Sequence, residues 1–202
     1  MKSYYYDNRN MSIEEKMIPT AISLLKQVSK GAELEIIESY TKDDLTNKPL
    51  QDKHVDVILH LQGRDILIDL KTTDYPDYRF LTFELLRVNV NNKIIKEGWT
   101  KLVDDFPAED QYILFVSHTE CALVQKTKFH ECKANNPEDF NPDNIKWWQD
   151  KGCKKLYKKN KLLYLHKSDD LALLEEMEAK IYHGGINERW KEVSSEYYKY
   201  IN

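Results

Sequence analysis

The stretch that most constrains this chain is His54–Lys71, HVDVILHLQGRDILIDLK. Two runs rich in Val, Ile and Leu flank Gln62-Gly63-Arg64, the pattern of two strands joined by a tight hairpin. Side chains alternate across a strand, so Asp69 and Lys71 share one side with Leu67. On the partner run, Asp56 shares its side with His54, Ile58 and His60. With a two-residue turn at Gln62-Gly63, Leu61 faces Arg64 and Asp56 falls opposite Asp69. Cβ atoms paired in this way lie about 4.5–5.5 Å apart, where like charges are destabilising. A divalent cation between the two carboxylates removes that repulsion, because Mg²⁺ favours carboxylate oxygens and keeps several waters. Such a cation polarises a phosphate oxygen and lowers the pKa of a bound water. A lysine two residues on can position that water or offset charge developing on the phosphate. Those are the parts of a phosphodiester hydrolase. The plain alternative is a solvated sheet face on which Asp56, Asp69 and Lys71 balance charge.

The segments around the hairpin suit a sheet with helices beside it. Ile13, Met17, Ala21, Leu24, Leu25 and Val28 recur at helical spacing, with Pro19 either kinking that helix or starting it and Gly31 ending it. AELEIIESY, YRFLTFELLRV, QYILFVS and CALVQKTKF read as strands, and the stretch between Asn91 and Asp105 has room for a helix interrupted by KEGW. The expected class is α/β, a central mixed sheet flanked by helices.

An N-terminal helix, then Asp56, then Asp69-Leu70-Lys71 on a following strand resembles the PD-(D/E)XK nuclease superfamily. The resemblance covers about residues 12–126, in the order helix, three strands, helical segment, strand. Val55 stands where the family often has Pro. The resemblance implies a restriction-endonuclease-like core, with Asp56 and Asp69 holding Mg²⁺ or Mn²⁺ and Lys71 activating water. It also implies a glutamate from the first helix, for which Glu14 and Glu15 are the candidates. Glu14 lies toward the apolar face of the helix. Glu15 falls off that face and fits a capping box with Ser12. Glu84, in FLTFELL, is a further acid in an apolar stretch, placed near the site or satisfied by Arg79 or Arg87.

Charge divides the chain unevenly. Residues 146–167 hold eight lysines against one acid, a net +7, which leaves −11 on the rest of a chain whose net charge is −4. Trp147, Trp148 and Tyr157 are interleaved with these lysines. That composition suits phosphate neutralisation with stacking on unpaired bases, and Lys154, Lys155, Lys158 and Lys159 are the candidate phosphate contacts. A lysine-rich solvated face is the simpler reading. The core is expected at residues 1–130. Residues 131–202 are expected to be a loop, the basic segment and two C-terminal helices packed on the core, the first being LALLEEMEAKIY up to Gly184-Gly185 and the second INERWKEVSSEYYKYI.

Several classes are disfavoured. No apolar stretch approaches the roughly 20 residues that span a bilayer, and MKSYYYDNRN has no apolar signal region. Three cysteines make no disulfide framework, which suits a reducing, cytoplasmic compartment, or a host cytoplasm for a phage-encoded protein. His118, Cys121, His130 and Cys132 lack the usual structural-zinc spacing. The expectation is therefore a Mg²⁺- or Mn²⁺-dependent endonuclease acting on DNA, duplex, branched or single-stranded, and a two-fold dimer if it cuts both strands. Restriction, junction resolution, repair and phage or mobile-element roles all remain open to such a chain. The rival reading is a nuclease-like fold without catalysis that serves as a nucleic-acid-binding or assembly module.

Overall fold

The computed structural model describes residues 8–30, 32–37, 46–76, 80–89, 94–145, 147–148, 158–166 and 169–194. In chain order the elements are α1 (Asn8–Val28), β1 (Glu33–Ile36), α2 (Lys48–Asp52), β2 (Val57–Leu61), β3 (Arg64–Thr72), β4 (Phe80–Asn89) and β5 (Ile94–Glu97). They continue with β6 (Gln111–Val116), β7 (Glu120–Gln125), α3 (Lys126–Asn135), β8 (Trp147–Trp148), β9 (Lys158–His166), α4 (Leu171–Glu176), β10 (Lys180–Gly185) and β11 (Glu188–Val193). The class is α/β, and the chain divides into two compact units.

The first unit comprises Met1–Tyr78, Tyr112–Val124 and Ala179–Asn202. Its sheet has seven strands in the order β1-β2-β3-β6-β7-β10-β11. The β2–β3 hairpin closes at Leu61↔Arg64 with Gln62 and Gly63 both at positive φ, 50° and 84°, the two-residue turn that the sequence predicts. Thr73 N–H donates to Val116 O at 3.1 Å, so the C-terminal ends of β3 and β6 lie together and the two strands run parallel. The sheet is therefore mixed. One face buries Val57, Leu59, Ile68, Leu70, Leu114, Val116, Cys121, Tyr182 and Trp190 in one cluster with Met17, Ala21, Leu24 and Leu25 of α1. These are the helically spaced residues of the sequence, and α1 runs through Pro19 without ending there. Trp190 is fixed further by its indole N–H to Ser23 Oγ, 3.3 Å, and by a two-way pairing of its backbone with the Gln27 side chain.

The second unit comprises Arg79–Gln111 and Gln125–Glu178. Its four-stranded sheet has the order β5-β4-β9-β8, antiparallel throughout. Its core is aromatic: Phe83 stacks on Phe129 at 4.8 Å between ring centres, and Phe140 meets Phe129 edge-on at 5.5 Å. Gly98 has no room for a side chain, because a Cβ there would fall 1.9 Å from Glu84 O.

Three expectations are corrected. Within the stretch between Asn91 and Asp105, Ile94–Glu97 form β5 rather than a helix, since Ile94 and Ile95 extend the ladder against Asn89 and Val88. KTKF does not continue a strand but opens α3, whose buried residues Lys126, Phe129 and Cys132 recur every three positions. The third concerns the C-terminal region, where α4 stops after six residues because Glu178 takes positive φ, 50°. KIYHGG and ERWKEV are then strands β10 and β11, joined to the first sheet through β7 rather than forming helices beyond residue 130. The paired glycines do not stop a helix. A Cβ on Gly184 would lie 2.9 Å from the Trp190 backbone, so glycine is what allows that tryptophan into the core. Residues 195–202, the end of the second expected helix, lie outside the described residues. No helix among the described residues is long and apolar enough to cross a membrane.

Candidate active site

The hairpin carries its charged residues to the start of β2 and the end of β3. Pairing runs from Leu61↔Arg64 to Val57↔Ile68, and Asp56 directly precedes it. Asp56 N–H donates to Ile68 O at 2.9 Å. Alternation from the hydrogen-bonded Leu61↔Arg64 pair makes Val57↔Ile68 a hydrogen-bonded pair as well, so two consecutive residues face one. That is the geometry of a β-bulge. Asp56 is thereby turned out of the strict opposition to Asp69 that simple register predicts. Its Oδ2 accepts the Leu70 N–H at 2.7 Å, a side chain doing what a ladder carbonyl would otherwise do. A strand run with one bulge cannot be told from a regular one by composition, which is why the sequence placed the pair in plain register.

Asp69 is 2 % exposed, on the strand face opposite the α1 core residues Ile68 and Leu70. Its Oδ1 is in an ion pair with Lys71 Nζ, which also donates to Leu70 O at 3.2 Å. Its Oδ2 is buried without a hydrogen-bond partner. An orphaned carboxylate oxygen inside a protein is costly and rare.

The electrostatics tie Glu14 to the same place. Burial raises the Asp56 carboxyl to about 7, and the neighbouring Asp69 charge adds to the rise while Lys71 opposes it. Burial likewise raises Glu14, with Asp69 and Glu15 adding and Lys71 opposing. Burial works against the charge of Lys71, but Asp69, Asp56 and Glu14 outweigh it and hold the ammonium above its usual range. Three carboxylates and one lysine thus share one field. Glu14 is half-buried, whereas Glu15 is exposed and enters that field only through its effect on Glu14.

One participant was not legible in the sequence. Gln51, on α2, donates to Ile37 O at 3.0 Å and lies 3.5 Å from Asp56 Oδ1. Pro49 at the head of α2 is its local signal, yet nothing in the sequence joins that short helix to Asp56.

Glu84 is buried on β4 of the second unit. Lys154 and Lys155 lie outside the described residues. Lys158 and Lys159 are on β9 opposite Asn89 and Val88, and Trp147 and Trp148 form β8 opposite Lys161 and Asn160. His60 bridges Asp65 at 2.7 Å and Glu35 at 3.2 Å. His118 pairs with Asp74, Cys121 is buried, His130 meets Thr100 O, and Cys132 lies 3.8 Å from Leu173 O.

The residues present fit a hard divalent cation. One oxygen, Asp69 Oδ2, is left over once protein partners are counted, and Asp56 Oδ1 has only the long 3.5 Å contact from Gln51 Nε2; both are carboxylate donors of the kind Mg²⁺ and Mn²⁺ take. Among the described residues no three His, Cys, Asp or Glu side chains are grouped as a protein-only cage. Mg²⁺ needs only one or two carboxylates, with waters and substrate phosphate completing its shell. Comparison with protein families, with curated proteins and with solved structures finds no match to this chain.

Proposed function

We propose that this chain is a Mg²⁺- or Mn²⁺-dependent nuclease of the PD-(D/E)XK kind, an endonuclease acting on DNA. The observation that carries the reading is the buried, unpartnered Asp69 Oδ2 beside a protonatable Asp56 and an ion-paired Lys71. A purely structural Asp69–Lys71 pair would leave no oxygen stranded and would need no second carboxylate. Asp56 and Asp69 would hold the cation, which supplies charge neutralisation at the phosphate and a more acidic water. Lys71 holds its proton firmly, so it acts as a hydrogen-bond donor and fixed positive charge rather than as a base. With its side chain 25 % exposed, it reaches solvent from beside Asp69 and can orient the attacking water or meet a phosphate oxygen. In this reading Glu14, whose carboxyl is raised by burial and feels the charges of Lys71 and Asp69, would accept a proton from that water. The lysine-rich 146–167 segment supplies duplex phosphate contacts in this reading.

The test is incubation with supercoiled, linear, single-stranded and branched DNA, with Mg²⁺, Mn²⁺ or excess EDTA, using wild type and Asp69→Asn. Cleavage should require the cation and fall at least about 10²-fold in the variant, which keeps the shape of the side chain. Turnover in EDTA, or a fully active Asn variant, overturns the mechanism. Nucleic-acid binding without cleavage under any condition favours the non-catalytic module.

A further inference from the structure

The chain just beyond Lys71 is held with unusual firmness and still displays a large ring. Thr73 N–H donates to Val116 O, tying the end of β3 to β6. Tyr75 O accepts His118 N–H at 3.4 Å, and Tyr75 N–H donates to Thr73 Oγ1 at 3.5 Å. Pro76 O accepts three donors, Ser117 Oγ at 2.9 Å, Thr119 Oγ1 at 2.7 Å and Thr119 N–H at 2.9 Å. Asp74 meets His118 Nε2 at 3.0 Å. Residues 73–76 are thus fastened along their length to the β6–β7 turn, yet Tyr75 is 73 % exposed. Its ring contributes little to burial, so packing does not explain a tyrosine there.

Position gives the ring a use. Four residue-to-residue steps lead from Lys71 to Tyr75, at most about 13 Å. These residues lie at the C-terminal end of parallel β3 and β6, where α/β sheets characteristically receive ligands. We propose that Tyr75 is a stacking platform for an unpaired base of a single-stranded or frayed nucleic acid whose backbone passes Lys71. The inference rests on the nuclease reading for its substrate class and adds a preference for unpaired strands. The backbone that carries the ring is already held, so stacking need order only the side chain, and every base offers a π-face, so the contact is sequence-tolerant. The neighbouring His118–Asp74 pair holds the loop while leaving the Tyr75 ring in solvent.

The experiment separates this inference from the parent reading by measuring binding and cutting independently. Fluorescence anisotropy of a labelled single-stranded 12-mer and of a hairpin duplex, in Ca²⁺ to suppress turnover, is recorded for wild type, Tyr75→Phe and Tyr75→Ala. Cleavage of linear duplex in Mg²⁺ is recorded in parallel. Tyr75→Ala should weaken single-strand binding about fivefold or more while Tyr75→Phe stays within about twofold, because the ring and not the hydroxyl stacks. Duplex affinity should be the same for all three. A single strand bound equally by Tyr75→Ala, or not bound by wild type, overturns the stacking role whether or not duplex is cut. Tyr75-dependent binding with no cleavage keeps the stacking role and removes the nuclease reading.

Discussion

Replacing Asp56 by Asn tests the electrostatic arrangement without any substrate. In the folded chain the Asp56 carboxyl titrates at about 7 instead of its ordinary 3.8, chiefly because it is buried. A raised carboxyl keeps its proton in the native state after the unfolded state has lost its own, so stability falls as pH rises through the window between the two values. About three units at about 1.4 kcal/mol each withhold about 4 kcal/mol once the pH passes 7, and about 1 kcal/mol at pH 4.5. Asparagine carries no such term. Its amide oxygen still accepts the Leu70 N–H, as a neutral acceptor weaker by about 1 kcal/mol at every pH. The two effects cancel at pH 4.5, where wild type and Asp56→Asn should be nearly equal. At pH 8 the variant should be more stable by about 3 kcal/mol. Urea unfolding in EDTA from pH 4.5 to 8 reads this directly. A flat difference across that range, or a less stable variant at pH 8, refutes a half-buried, protonatable Asp56. Saturating Mg²⁺ should narrow the gap, because at 100 times its dissociation constant a ligand adds about 2.7 kcal/mol to the form that binds it.

Two further variants divide chemistry from binding. Lys71→Ala should lower single-turnover cleavage at least about 10²-fold while leaving DNA affinity nearly unchanged, and a wild-type rate removes Lys71 from the mechanism. Neutralising Lys154, Lys155, Lys158 and Lys159 together should do the reverse. Binding isotherms at several salt concentrations should lose about 0.9 of log–log slope per duplex phosphate contact, with cleavage at saturating DNA retained, and an unchanged slope makes the segment a solvated face.

The hairpin was legible because its signals are local. Two Val/Ile/Leu runs around Gln62-Gly63 leave a single tight turn, and the positive φ of both turn residues follows from that turn type. The α1 core face was legible for the same reason, since Met17, Ala21, Leu24 and Leu25 repeat with the helix itself. What failed was decided at long range. LALLEEMEAKIY has helical composition, and only the fit of Ile181 and Tyr182 beside Ala122 and Cys121 makes its last three residues the start of a strand. Trp190 needed a glycine opposite it, which turned the apparent stop signal at Gly184-Gly185 into part of a hairpin. The bulge at Asp56 is of the same kind. Sequence placed both acids on the hairpin, but the carboxylate that caps Leu70 N–H is visible only in three dimensions.

That cap bears on why two acids are present at all. Asp56 has a structural duty, since Leu70 N–H would otherwise lack the acceptor to which Asp56 Oδ2 is bonded. A neutral asparagine or serine could carry it without placing a carboxylate within the field of Asp69 and Glu14. Asp69 has a partner in Lys71, which accounts for one of its oxygens and leaves the other buried and bare. Each residue can be given a local purpose, and each purpose leaves an oxygen or a charge over. Functional sites are where a fold tolerates such a surplus. Here the surplus is negative, made of hard oxygens, and sits beside a lysine that keeps its proton, which is the combination a cation and a phosphate would together neutralise.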